Sequence, residues 1–173
     1  MTKDIKYDAG SCVYIAMSDS LVLFPHNGTT ATVWDMEDDR SLGLLEGHTS
    51  KICSASLNSI KKTAVTVSNE NGVYPVKIWS LETMQCTANL AANSRAVRLL
   101  KDRLLLGSSL GPIKVWDIGG STPVALMDLE GHNNRILWID ASDTTNVALS
   151  GSRDKSVRLW DFRTGKCLSL IHI

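Results

Sequence analysis

The chain has 173 residues, the length of a single domain. Its 18 basic and 18 acidic residues cancel to zero formal charge, which argues against a surface built for nucleic acid or an anionic membrane, since either wants a surplus of Lys and Arg. Hydrophobic residues make up 43%, enough for a packed core and too many for a disordered chain.

Met1 is followed by Thr2, Lys3, Asp4, Ile5 and Lys6 with no apolar stretch behind them, so no signal peptide is visible. The longest apolar runs fall far short of the roughly 20 residues that span a bilayer. The reading is a soluble, intracellular protein of the cytoplasm or nucleus. A first unit, residues 7–46, closes on Ala31-Thr32-Val33-Trp34-Asp35. Asn27-Gly28-Thr29 inside it fits a glycosylation sequon but reads more simply as a turn. A second unit, 47–91, opens on Gly47-His48 and closes on Val76-Lys77-Ile78-Trp79-Ser80. A third, 92–130, closes on Ile113-Lys114-Val115-Trp116-Asp117, and its β-rich runs are 95–101, 103–109, 113–118 and 124–129. The fourth, 131–173, opens on Gly131-His132 and closes on Val157-Arg158-Leu159-Trp160-Asp161, with runs at 135–141, 146–152, 156–162 and from 166 onward. Its tail, 169–173, lacks the charged turn that the other units place there. With no stretch of convincing helical period, these runs predict an all-β protein of four blades, each of four antiparallel strands.

The tryptophans that close the units are 45, 37 and 44 residues apart, and the two Gly-His pairs are 84 apart, twice 42. A period of 40 to 45 residues with Gly-His early and Trp-Asp late resembles the WD-repeat family of β-propellers over nearly the whole chain. The fourth unit carries the resemblance best, through Gly131-His132 and Ser150-Gly151-Ser152-Arg153-Asp154 ahead of Trp160-Asp161. The resemblance implies a non-catalytic scaffold or adaptor that presents one face of a disk to other proteins. It also implies structural, blade-locking roles for His132, Ser150, Asp154 and Trp160, with His48, Trp79, Trp34 and Trp116 as their counterparts. The chemistry is sound, because a neutral imidazole has one donor and one acceptor and can link a carboxylate to a hydroxyl. The other units depart from the pattern. The second has a longer inner turn, Asn69-Glu70-Asn71-Gly72-Val73-Tyr74-Pro75, without the Asp. The third has Leu110 in that place, and the first keeps only Trp34-Asp35. These blades are expected to lack the lock. The family's docking positions fall here on Arg153, Asn134 and Arg135, which suits an acidic or phosphorylated partner because the guanidinium fork pairs two oxygens at once. Four blades are fewer than the family's usual seven or so. The chain is therefore read as the C-terminal half of a larger propeller with the remaining blades in the same chain, the alternatives being a four-bladed monomer or a second copy that completes an eight-bladed ring.

Other motifs read as bland. Gly107-Ser108-Ser109-Leu110-Gly111 matches the serine-hydrolase elbow, which needs a helix after it, whereas a strand in repeat register follows here. Arg95, Arg98, Lys101 and Arg103 alternate with apolar residues, as on a solvated strand face, with an acidic-partner site as the rival reading. Cys12, Cys53, Cys86 and Cys167 have no zinc-ligand spacing and read as reduced thiols. No cofactor and no metal are expected. A narrower alternative makes the chain the substrate-recognition part of an F-box-type ubiquitin-ligase adaptor. A propeller enzyme is the rival from another class, and it lacks a spare cluster of carboxylates or histidines.

Overall fold

The structure is a computed structural model and describes residues 14–172, so 7–13, Cys12 and Ile173 of the sequence reading lie outside the described residues. The described residues form sixteen strands in four separate four-stranded sheets, each an antiparallel meander. Blade 1 holds β1 (Ala16–Ser18), β2 (Leu21–Pro25), β3 (Ala31–Asp35) and β4 (Arg40–Leu45). Blade 2 holds β5 (Ile52–Asn58), β6 (Thr63–Ser68), β7 (Val76–Ser80) and β8 (Gln85–Leu90). Blade 3 holds β9 (Ser94–Leu99), β10 (Arg103–Ser108), β11 (Ile113–Asp117) and β12 (Val124–Leu129). Blade 4 holds β13 (Ile136–Ser142), β14 (Val147–Ser152), β15 (Ser156–Asp161) and β16 (Lys166–His172).

Short-range chemistry explains why each phrase makes a strand and then a turn. The residue after each of three tryptophans is an Asp whose carboxylate caps the next turn. Asp35 Oδ1 accepts from the Glu37 and Asp38 amides, Asp117 Oδ1 from Gly119, and Asp161 Oδ1 from Arg163 and Thr164. The turn then needs one left-handed residue, supplied by Asp39, Met84 and Gly165 at matching positions. In all four blades the register slips at the tryptophan, between Val33 and Trp34, Ile78 and Trp79, Val115 and Trp116, and Leu159 and Trp160. A bulge of this kind adds local twist, and its repetition gives the blades a common shape.

Strand alternation gives every blade two faces, and the core lies between blades rather than within one. The tryptophan face of blades 2, 3 and 4 packs on the aliphatic face of the blade before it. Trp79 and Ala64 meet Leu23, Val33 and Leu45. Leu104 and Leu106 meet Val65, Val67 and Val76. Trp160 and Ala148 meet Leu105, Ile113 and Val115. Among the described residues the aliphatic face of blade 4 has no such cover. Leu149, in register with the fully buried Val65, is 37% exposed, and Ile171, in register with Leu90, is 56% exposed. The innermost strands β1, β5, β9 and β13 surround a shared hollow of about 420 Å³, with an ion pair of Arg98 and Asp140 (3.0 Å) on its wall.

Candidate functional site

Blade 4 contains a complete buried hydrogen-bond line. His132 follows Gly131, whose φ of +149° favours glycine and whose Cβ, if present, would press on the Trp160 ring at 3.2 Å and displace the end of the Arg158 side chain. The imidazole is fully buried, with Nδ1 at 2.7 Å from Asp154 Oδ2 and Nε2 at 2.8 Å from Ser150 Oγ. The Trp160 indole N–H donates to the same Ser150 oxygen at 2.8 Å. Burial by itself would raise the Asp154 pKa, but hydrogen bonds from Ser156, His132 and the Asn133 amide outweigh it and hold the carboxyl well below the usual range. Asp154 is therefore an acceptor, the imidazole proton sits on Nδ1, and Ser150 donates to Nε2 while accepting from Trp160. Every polar atom in the line is satisfied. Ser156 and the Asn133 amide also donate to Asp154, and neither was singled out from the sequence.

Blade 2 keeps more of this arrangement than its sequence suggested. Thr66 stands in register with Ser150, and its hydroxyl lies 2.7 Å from His48 Nε2 while accepting the Trp79 N–H at 2.7 Å. Glu70, four residues beyond Thr66 as Asp154 is beyond Ser150, turns outward to accept from Thr49 and Ser68. His48 Nδ1 is left buried without a hydrogen-bond partner. Burial, and then the charge of Lys77, lowers the His48 pKa to about 4, so this ring is neutral. The correction is that the lock in blade 2 is shortened rather than lost. It was missed because the three extra residues of the inner turn place Thr66 13 residues before its tryptophan, where Ser150 is 10 before its own. In blade 3 the register position is Leu106, which cannot accept, and the buried Trp116 N–H has no partner. In blade 1 it is Phe24, and Trp34 is only half-buried.

The β14–β15 turn and the segment just ahead of β13 carry the candidate docking residues. Ser150, Ser152 and Asp154 point inward, which turns Arg153 out to solvent. The Arg153 amide donates to the Arg135 carbonyl at 2.9 Å, so the two arginines and Asn134 lie side by side. The Arg135 guanidinium sits 5.9 Å from the ring centre of Tyr74, a residue of the long turn of blade 2. Arg153 makes no ion pair among the described residues. The elbow-like segment is a hairpin turn between β10 and β11 with no helix after it. Among the described residues no group of three or more His, Cys, Asp or Glu is placed to hold a metal ion. No helix among them is long and apolar enough to cross a membrane.

With four meanders, a tryptophan bulge in each and the Gly-His-to-Trp line in place, comparison with known proteins decides the family. The model for the WD domain, G-beta repeat, matches residues 123–161, which span the end of blade 3 and most of blade 4. The chain belongs to the WD-repeat family. Among curated relatives, the CCR4-associated factor 4 homolog of Candida glabrata is 29% identical over 142 residues, 75% of this chain and 24% of that protein. Ribosome biogenesis protein YTM1 of Saccharomyces cerevisiae is 31% identical over 131 residues, 71% of this chain and 28% of that protein. This WD-repeat chain thus spans about a quarter of the length of the curated relatives it matches. Among solved structures, the computationally designed Ika8 protein superposes with a TM-score of 0.71 at 27% identity, covering 89% of this chain and 46% of that one. The four sheets are WD-repeat propeller blades.

Proposed function

We propose that the chain is a non-catalytic scaffold whose inner-turn face docks acidic or phosphorylated segments of partner proteins, with Arg153, Arg135 and Asn134 as contact residues. One observation carries this reading. Arg153 stands on a turn whose inward-facing residues are fully hydrogen-bonded, and its amide is tied to the carbonyl of Arg135 just ahead of β13, so the two residues are held next to each other on a rigid base. His132, Ser150, Asp154 and Trp160 supply that base, and His48 and Trp79 supply a shorter version of it. Trp34 and Trp116 contribute packing. The uncovered aliphatic face of blade 4 supports a larger ring, completed by further blades of the same chain or by a second copy. The relatives named for CCR4 association and ribosome biogenesis support a place in the cytoplasm or nucleus. The test is selection of a dodecapeptide phage library on the purified chain, followed by titration of the enriched peptides. Arg153→Ala should weaken acidic peptides about tenfold while leaving the melting temperature unchanged. A marked fall in the melt would make Arg153 structural and sink the assignment.

A further inference from the structure

We propose that Asn27 is a site of spontaneous conversion to aspartate and isoaspartate, and that the other Asn-Gly pair of the chain, Asn71-Gly72, is protected from it. The two pairs look alike in the sequence, and both asparagines are exposed in turns between strands. Their hydrogen bonds differ. Asn27 Oδ1 accepts from the Thr29 amide at 3.3 Å and the Thr30 amide at 3.1 Å. It also accepts from the Thr29 and Thr30 hydroxyls at 3.2 and 2.8 Å. This Asx turn folds the carboxamide back over the chain, towards the Gly28 nitrogen that lies between Asn27 and its partners. That nitrogen donates no hydrogen bond among the described residues. At the second pair the Gly72 amide is already donated to Asn69 Oδ1 at 3.0 Å. Reciprocal bonds between the Glu70 and Val73 main chains, at 2.7 and 3.0 Å, pin that turn. No hydrogen bond reaches the Asn71 side chain among the described residues.

The first turn matches what the reaction requires. The Gly28 N–H gives its proton to solvent base and the nitrogen bonds to Asn27 Cγ, while Oδ1 takes up the negative charge of the tetrahedral intermediate. Four donors already point at that oxygen, so the charge forms where it is stabilised. The Cγ–Nδ2 bond then breaks and ammonia leaves, closing a succinimide ring. Gly28 carries no Cβ, and nothing lies within 4 Å of the place one would take, so ring closure meets no obstacle. Water opens the ring at either carbonyl. Cleavage between the Gly28 nitrogen and Cγ gives aspartate, and cleavage between that nitrogen and the Asn27 main-chain carbon gives isoaspartate. At Asn71 the attacking N–H is held by Asn69 and the receiving oxygen has no donors, so both parts of the step are disfavoured. Either product adds a negative charge to the turn. Isoaspartate also lengthens the main chain just ahead of Gly28, whose carbonyl accepts the Ile52 amide at 2.8 Å and so ties blade 1 to the first strand of blade 2. Conversion at Asn27 therefore loosens a seam between blades.

The test ages the purified chain in mildly alkaline buffer at body temperature. Tryptic peptides 7–40 and 63–77, which carry one pair each, are followed over time by liquid chromatography and mass spectrometry. In the folded chain Asn27 should convert about tenfold faster than Asn71. In concentrated urea, where both turns are lost, the two rates should converge. Thr29→Val/Thr30→Val removes two of the four donors to Asn27 Oδ1 and should slow that site about threefold. Both hydroxyls lie on an exposed turn, so the fold should hold. Asn69→Ala frees the Gly72 amide and should speed conversion at Asn71, a gain that a damaged fold at blade 1 does not touch. Equal rates in the folded chain, a faster Asn71, or a difference that persists in urea overturns the proposal. So does an Asn27 rate that ignores the loss of both hydroxyls. Aged chain enriched in isoaspartate at residue 27 should melt below Asn27→Asp, which adds the charge alone, and equal melts overturn the loosened seam.

Discussion

Removing one oxygen from blade 4 should destabilise the protein far beyond the size of the change. Ser150 is fully buried, and its hydroxyl serves two partners, donating to His132 Nε2 and accepting from the Trp160 indole at 2.8 Å each. Ser150→Ala deletes only that oxygen and leaves both partners buried without alternatives. Each orphaned group costs about 1 to 3 kcal/mol, so the pair should cost about 3 kcal/mol. For a chain of this length that corresponds to a fall in melting temperature of roughly 6 to 12 °C. Urea unfolding followed by tryptophan fluorescence and circular dichroism measures the change directly. The double variant Ser150→Ala/Trp160→Phe sharpens the test, because the ring change removes the orphaned donor as well as some volume. Trp160→Phe should therefore cost less in the Ser150→Ala background than in the parent. A loss below about 0.5 kcal/mol for Ser150→Ala, or strict additivity in the double variant, would refute the view that this line locks the blade.

His48 makes stability depend on pH below neutrality. Its folded pKa of about 4 lies under the unfolded value, so the unfolded chain takes up the proton first, and stability present above pH 6.5 declines as the pH falls towards 4. The loss should reach about 2 kcal/mol at pH 5, and His48→Gln should flatten it; matching slopes of urea midpoint against pH would rule this out. Val65→Ala should cost about 2 kcal/mol and Leu149→Ala less than half as much, although Leu149 loses more atoms, because only Val65 is covered by a neighbouring blade. Equal losses would show that the open face of blade 4 is covered in solution. Gly111→Ala should cost at least about 2 kcal/mol, since a Cβ there would sit 2.2 Å from the His132 carbonyl oxygen at a φ of +125°. Gly72→Ala, with φ of +90° and open space around it, should cost about 1 kcal/mol, and equal thermal shifts for the two would refute the clash.

The features legible in the sequence are those made by residues close together in the chain. Alternating Val, Ile and Leu before each tryptophan specify a strand, and the Asp that follows Trp34, Trp116 and Trp160 caps the turn within three residues. These rules placed the strands of blades 3 and 4 within a residue or two of where the structure has them. The repeat spacing then indicated four blades, because each four-stranded unit can bury its faces only against another. What required the tertiary structure is the set of relations between distant residues. The three-residue insertion in blade 2 hid Thr66 from any motif, and only strand register shows it facing His48 and Trp79. The 42-residue spacing of Cys53, Arg95 and Leu137 was visible, but bulges decide which way a side chain points, and nothing local in these three dissimilar residues announces a bulge. The burial of Val65 against the exposure of Leu149 follows the same logic. Both are apolar residues in mid-strand, and their difference comes entirely from whether another blade lies on top.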